Sequence, residues 1–426
     1  MKYIRLLILL FTLPLLSCSD DVPAASSVDI KIVVELPEQF SGHAAESSTF
    51  HITNLSTGNT IDITRNGSYA ATVSVSPGLY TIRYDGTATL DGAPEVAIHA
   101  SVSSVTISAP TTVSLPAYAT VETDDLIISE IFFTGTLQTS GNSYNGDQYF
   151  KLYNNTDHVI YADGLVIFES LFLTTEKFNY EPNIINSAVS VDALYAIPGS
   201  GKNYPVAPGE SLLIADIAID HRTINPNSLD LSHADFEWYD VSTSPMYTDI
   251  DNPAVPNLDK WYCYTQTIWQ LHDRGFKAYG LARIPEGKDA FMAAHYYTVD
   301  YENITVAGAF PMTKRGYWLP NDMVVDVVNL SIESNYQWNV TDPSLDSGYT
   351  YCGTINNDKT RYFHSVRRKF LAKDGDRIVL ADTNNSGDDF NPFVVPSEIE
   401  LQKSVTDISG ATASTVTIDG ITPAEQ

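Results

Sequence analysis

The chain has 426 residues, a formal net charge of −28 and a pI near 4.4. That acidity excludes charge-driven binding to nucleic acid or to anionic lipid. With 43% hydrophobic and 11% aromatic residues the chain is no disordered polymer, and its length suffices for two or three domains with cores of their own.

Lys2 and Arg5 precede an apolar run over residues 6–16, followed by Leu15-Leu16-Ser17-Cys18. A basic head, a short apolar stretch and a small residue before the cut predict a secretory signal over residues 1–17, too short to span a membrane. The Cys after the small residue resembles the bacterial lipobox. That resemblance implies that Cys18 is acylated, becomes the mature N-terminus and holds a tether over residues 18–27. Several acyl chains anchor stably where one alone is marginal. The bland alternative is an ordinary signal with an incidental Cys. Ser19-Asp20-Asp21 resembles the export signal that places lipoproteins on the outer face of the outer membrane, though two Asp residues also suit a solvated tether.

Residues 28–118 read as about seven short strands with Gly and Pro turns and no helical periodicity, the pattern of a small β-sandwich. The strands are expected near 28–36, 49–55, 60–64, 69–75, 79–84, 96–107 and 112–115, with Asn66-Gly67 as a hairpin signal. Residues 116–124 form the linker. A second domain is expected over 125–398, opening with the strands LIISEIFF and QYFKLYNN. In the latter, Tyr149, Lys151 and Tyr153 alternate with Phe150 and Leu152, the period of a half-buried strand. Residues 173–260 read as a long irregular insertion, ordered because it carries large apolar side chains. Further strands are expected at 261–271, 277–284, 324–330, 361–370 and 377–380, one short helix at 288–297, and a tail at 399–426. The fold class is therefore all-β, with two β-sandwich domains.

Chemistry-bearing motifs mostly fail on inspection. Gly199-Ser200-Gly201-Lys202 lacks the earlier Gly and the Ser/Thr of a phosphate loop, no G-x-S-x-G occurs, and the nine His residues include no H-E-x-x-H. His221 and His233 read as surface residues rather than a metal pair. Asp382, Asn384, Ser386 and Asp388 place oxygens at alternate positions around Gly387, an echo of a calcium loop. Phe393 stands where the bidentate acid belongs, so an Asx turn is the competing reading. The basic run from Arg361 to Lys369 is expected to pair with the chain's own acids. Aromatic runs such as Trp261-Tyr262 and Tyr317-Trp318 read either as cross-strand pairs or as a stacking surface. Cys263 and Cys352 lack any CxxC context. An exported protein can oxidise them, and a bridge closing a loop of roughly 90 residues would contribute about 4 kcal/mol; two separate buried thiols are the alternative.

The segments ISEIFFTG, FKLYNNTDHVIYADGLVI and APGESLLIA resemble the opening strands of lamin-tail-type domains, which are immunoglobulin-like binding or scaffolding modules. The departures are Lys151, where Glu is usual, and a long insertion before Ala207. The order ITNLSTG…SPGLYTIRYDG resembles transthyretin-like or carboxypeptidase-regulatory-like modules, which are usually non-catalytic spacers. With the N-terminus and DTNNSGDDF at 382–390, the whole chain resembles an uncharacterised family of surface lipoproteins from Bacteroides-type bacteria, which implies no activity.

The function expected is a non-enzymatic, outward-facing lipoprotein of the bacterial outer membrane, accessory to a TonB-dependent receptor and binding a ligand. The ligand surface is expected in the 173–260 insertion, with Trp238 and Tyr239 as anchors because Trp and Tyr dominate binding hot spots. The rival for Trp238 is that it pins the loop to the sandwich. The rival functions are an adhesion or structural module and a hydrolase using paired carboxylates. No cofactor is expected beyond the calcium alternative.

Overall fold

The computed structural model describes residues 27–36, 44–89, 95–120, 124–375 and 377–413. Cys18, Asp20, Asp21 and the signal peptide, the subjects of the anchoring expectation, lie outside the described residues.

Seven strands form the first domain: β1 (Val28–Glu35), β2 (Ser47–Asn54), β3 (Thr60–Thr64), β4 (Ala70–Val75), β5 (Gly78–Thr89), β6 (Glu95–Ile107) and β7 (Thr111–Thr120). Alternation builds them. Ile30, Ile32 and Val34 of β1 point into one core with Phe50, Ile52, Ile82 and Tyr84. The strand order is β3-β2-β5-β6-β7-β1-β4. β7 bends the sheet over on itself: its first half runs parallel to β1, and residues 117–120 pair antiparallel with β6. Pro116 sits at the changeover, where the ladder switches partner and a missing N–H costs least. The hairpin expected at Asn66-Gly67 does not form. β3 and β4 lie at opposite ends of the sheet, and Gly67, at φ 71°, turns the chain from one end to the other with its N–H on Ala45 O.

The second domain holds, in chain order, β8 (Ile127–Phe132), β9 (Thr136–Leu137), β10 (Ser143–Tyr144), β11 (Tyr149–Tyr153), β12 (Ile160–Tyr161), β13 (Leu165–Ser170), β14 (Ala188–Ala196), β15 (Pro205–Val206), β16 (Ser211–Ala215), β17 (Phe236–Glu237), β18 (Asp259–Cys263) and β19 (Ala278–Arg283). Then come α1 (Gly287–Ala294), β20 (Tyr296–Thr305), β21 (Gly308–Pro320), β22 (Val324–Asn329), β23 (Ser365–Arg368), β24 (Phe370–Asp374), β25 (Arg377–Leu380), α2 (Ser386–Asp389), β26 (Phe390–Val394) and α3 (Ser397–Gln402). One sheet has the order β17-β16-β11-β8-β23-β26. The facing sheet runs β20-β21-β14-β13-β19-β22, with β18 also on β14.

Ile128, Phe150, Leu152, Ile167, Tyr195, Tyr279 and Leu281 fill the space between the two sheets. Their outer faces are covered as well. Leu229, Leu231 and Ile399 lie over Phe132 and Tyr149, while Phe291 of α1 and Trp338 belong to the cluster over Val166 and Phe168. The half-buried reading of QYFKLYNN is thereby corrected: β11 is buried on both sides, because the loops and α3 roof the face that alternation assigns to solvent.

The segment 173–260 is not an insertion. It supplies β14, whose nine residues are all buried and which pairs with β13, β18 and β21, together with β16 and β17 of the other sheet. Nor does the domain end at residue 398, since Ile399 of α3 is fully buried and Val405 bridges Thr412. The strand expected over 261–271 stops at Cys263, where the chain turns inward so that the Trp269 N–H donates to Asp240.

Candidate functional site

Trp238 does not form a binding platform. It is fully buried at the end of β17, its ring lies 5.7 Å from Phe150 and 5.3 Å from Trp269, and its Nε1 donates to Trp269 O. Tyr239, its neighbour, is only partly buried. Cys263 and Cys352 are both free thiols, so the disulfide expectation fails. Burial pushes the Cys263 thiol up to about 11 and the Cys352 thiol higher still, which leaves both unreactive.

The four oxygens of the calcium echo turn to different partners. Asp382 accepts from Arg368 Nη1 at 3.1 Å, and Ser386 donates to Asp346 at 2.6 Å. Asn384 donates to Ser344 O, and Asp388 accepts from Asn385. Asn385 caps α2 with its side chain, which is the Asx geometry. Among the described residues no group of three or more His, Cys, Asp or Glu is placed to hold a metal ion. His221 is also not a surface residue. It is buried between Tyr144 and Ile217 O, and desolvation holds it down at about 4.

Two buried ionic clusters use the polar residues that sequence reading could not pair. In the first, Arg368 meets Asp326 through two 2.7 Å hydrogen bonds and also reaches Asp382 and Asp389. In the second, Lys277 sits between Asp192 at 2.9 Å and Glu169 at 3.3 Å. Elsewhere, burial pushes the carboxyl of Asp147 up to about 7 and that of Asp346 up to about 6, despite hydrogen bonds from Ser228 and Thr136 to the former and from Ser386 and Asn329 to the latter. Both acids hold a proton in the folded chain at a pH where the unfolded chain, near 3.8, has lost it. Stability must therefore fall as pH rises from about 4 to 7, by on the order of 1 kcal/mol per pH unit per group. Glu398 acts oppositely. Against the upward push of burial, His233 and Lys151 hold it down at about 2, so its contribution is present above about 4.5 and lost towards pH 2. The expected result is a higher melting temperature at pH 5 than at pH 8. A flat or rising melt over that range would show that these carboxyls are ionised in the folded state.

An aromatic-lined groove of about 890 Å³ lies at the outer edge of the second sheet. β20 and β21 form a long hairpin that the sequence reading missed, and β20 is the edge strand. Tyr297 and Val299 are buried, while Asp300, Glu302 and Ile304 face solvent on alternate positions. The groove lies between this edge and residues 177–181. Phe178 and Tyr301 pack at 4.7 Å in its wall, and Tyr180 and Trp338 stack behind them. Its rim carries Glu181, Asp300, Glu302 and one cation, Lys177. Glu181 already bridges Asp300 through both backbone hydrogen bonds, at 2.9 and 3.0 Å. By alternation, the peptide groups of Glu302 and Ile304 face the same open side. Ile304 is 76% exposed, and Phe310 and Met312 on β21 are also exposed. The exposed alternate residues were the only signal in the sequence that could have pointed here.

This second domain, with its doubly covered sheets, is where the family model matches. Residues 207–397 match the DUF4876 family, a protein family of unknown function. The DUF4876 match runs from just before β16 to the start of α3, and so includes the hairpin, the whole Arg368 cluster and Lys277 of the second. A crystal structure of a DUF4876 family protein from Bacteroides thetaiotaomicron superimposes with a TM-score of 0.59 at 22% identity, covering 87% of this chain and 96% of that one, and shows that the fold is shared. A candidate adhesin from Bacteroides ovatus gives a TM-score of 0.18 at 9% identity over 70% of this chain and 84% of that one, too weak to bear on the fold. None of the curated proteins matches the sequence. Among the described residues no helix is long and apolar enough to cross a membrane.

Proposed function

We propose that the protein is a non-enzymatic lipoprotein of the outer membrane, anchored outward through Cys18, that captures an extended basic peptide segment of a partner in the β20 groove, as an accessory to a TonB-type uptake system. The observation that carries the reading is the open edge of β20. Its unpaired peptide groups can add a strand, which is one of the recurring modes of peptide recognition. Glu181, Asp300 and Glu302 beside that edge favour Lys or Arg on the incoming strand, and Phe178, Tyr301 and Ile304 supply apolar contact. The anchoring part rests on the lipobox at Leu15-Leu16-Ser17-Cys18.

The test is a pull-down from outer membranes with the acylated protein, comparing the parent with the double variant Glu302→Lys, Ile304→Asp. Both positions are exposed, so the variant should melt like the parent. Loss of an edge contact of hot-spot size, about 2 kcal/mol, would weaken the partner about thirtyfold. Equal recovery of the partner by both proteins would refute the groove. Cys18→Ala, in the same experiment, should leave the membrane fraction; a variant that fractionates with the parent would refute the anchor. If only whole cells or matrix material, and no receptor, are recovered with the parent, the adhesion reading replaces uptake.

A further inference from the structure

The second ionic cluster has a geometry that a plain salt bridge does not require. β13 lies between β14 and β19 in the sheet. Glu169 is on β13, Asp192 is on β14, and Lys277 immediately precedes β19. Glu169 pairs with Ala193 and Ser170 with Val191, so Asp192 is the extra residue of a β-bulge. β21 pairs with β14 up to Val191, and β18 takes over from Ala193. Asp192 thus has no partner in the strand registers, its carbonyl taken instead by the Tyr264 N–H at 2.8 Å, and its side chain is re-aimed by the bulge, the device by which strands often present a reacting side chain. Lys277 Nζ reaches it at 2.9 Å, with Glu169 Oε1 at 3.3 Å and Ser170 O at 2.5 Å from the same nitrogen.

All three side chains are more than nine-tenths buried, and the Tyr264 ring lies 5.7 Å from Nζ. Glu169 is held in turn by Trp269 Nε1 and by the Tyr279 hydroxyl. The second carboxylate oxygen of Asp192 is buried and meets no hydrogen-bond donor. A charged pair with one bare oxygen is a costly way to fill a core, whereas a neutral link removes both charges.

We infer that Lys277 and Asp192 condense to an intramolecular isopeptide bond, with Glu169 as the proton carrier. The Lys277 amine attacks Cγ of Asp192, and a C–N bond forms as a C–O bond breaks. Glu169 accepts a proton from the nitrogen and returns it to the departing hydroxyl, which leaves as water. An ammonium and a carboxylate become one amide plus one water, with no oxidant or cofactor. The N–H that remains donates to Ser170 O. Burial favours the uncharged acid at Asp192, and the two carboxyls beside Lys277 otherwise hold it as an ammonium. Passing one proton from Lys277 to Asp192 cancels both charges and frees the nucleophile. Amide formation is slow in water, but a fixed pair about 3–3.5 Å apart gains an effective concentration far above any in solution. Exclusion of water also blocks the reverse reaction.

The experiment is a peptide map of the whole purified protein, denatured and digested with trypsin. One branched peptide is expected, joining the segment that holds Asp192 to the one that holds Lys277. It should be lighter by one water than the two together, with no cleavage after Lys277. Linear peptides of full mass at both sites would overturn the proposal, as would a water loss confined to a single linear peptide. Asp192→Ala should abolish the branch. Glu169→Gln, which keeps the size and the hydrogen-bonding capacity, should fold and form the branch about a hundredfold more slowly, in the range of general acid–base effects. An equal rate would remove Glu169 from the reaction. None of these results depends on the peptide groove.

Discussion

Replacing Arg368 by Met should cost the second domain about 3–5 kcal/mol, the usual result of removing one partner from a buried ion cluster. Arg368 is 2% exposed and ties four pieces of chain together. Its guanidinium donates to Ile128 O on β8, Ala381 O after β25, Asp326 on β22 and Asp382, with Asp389 3.6 Å away. The Phe390 ring lies 4.8 Å from it. Methionine retains the apolar stem and leaves three acids facing one another without a cation. Burial already pushes Asp382 and Asp389 upward, so part of the loss will be relieved by protonation. Urea unfolding followed by tryptophan fluorescence measures the cost. A change below about 1 kcal/mol would mean that the acids are neutral in the parent and that the cluster is a hydrogen-bond network rather than an ionic one.

Trp238→Ala should destabilise by a similar amount, about 3–5 kcal/mol, while Tyr239→Ala should change little. Trp238 fills the space between the sheets with Phe150 and Trp269, and truncation leaves a cavity that two rigid sheets cannot close. Its Nε1 bond to Trp269 O would also be lost, leaving that carbonyl buried. The readout is a melting curve alongside the membrane pull-down. A parental melt with a lost partner would restore Trp238 as a binding anchor and contradict its place in the core.

The two domains were not equally legible. In the first, one face of most strands is buried and the other is not, so Ile30, Ile32 and Val34 announce their strand by alternation alone. Two local errors stand there: β7 runs on to Thr120 through the expected linker, and at Asn66-Gly67 the left-handed turn is real, but a turn says nothing about whether the strands on either side pair with each other. In the second domain both faces of the central strands are covered, and the period-two signal disappears. β14 reads AVSVDALYA, with an acid in the middle of an apolar run, and passes for irregular chain because its Asp belongs to a bulge that only tertiary structure defines.

Site chemistry was hidden for the same reason. Lys277, Asp192 and Glu169 are far apart in sequence, and none sits in a motif. The basic run pairs with the chain's own acids, as its setting in an acidic sequence implies: Arg361 meets Asp273 and Arg367 meets Glu400. The likeness to an uncharacterised Bacteroides family agrees with the DUF4876 match, and the lamin-tail and transthyretin likenesses rest on their sequence segments alone.

One arrangement in the first domain bears on how the molecule would behave under tension. β1 and β7 run parallel over six residue pairs, Ile30–Thr111 to Glu35–Pro116, and β4 holds the other side of β1 over six more. An anchor at Cys18 would pull on the start of β1. A partner gripped by the second domain would pull on the end of β7. Because the strands point the same way, those two ends lie at opposite extremities of the ladder, and the force acts along the strands instead of across them. Every hydrogen bond of the pair is then strained at once, and the strands must slide past each other before any one bond can be released alone. Antiparallel strands with the same two exits would have opened one bond at a time from the end, like a zip. The small domain is thus wired as a shear joint for a force applied between the start of its first strand and the larger domain.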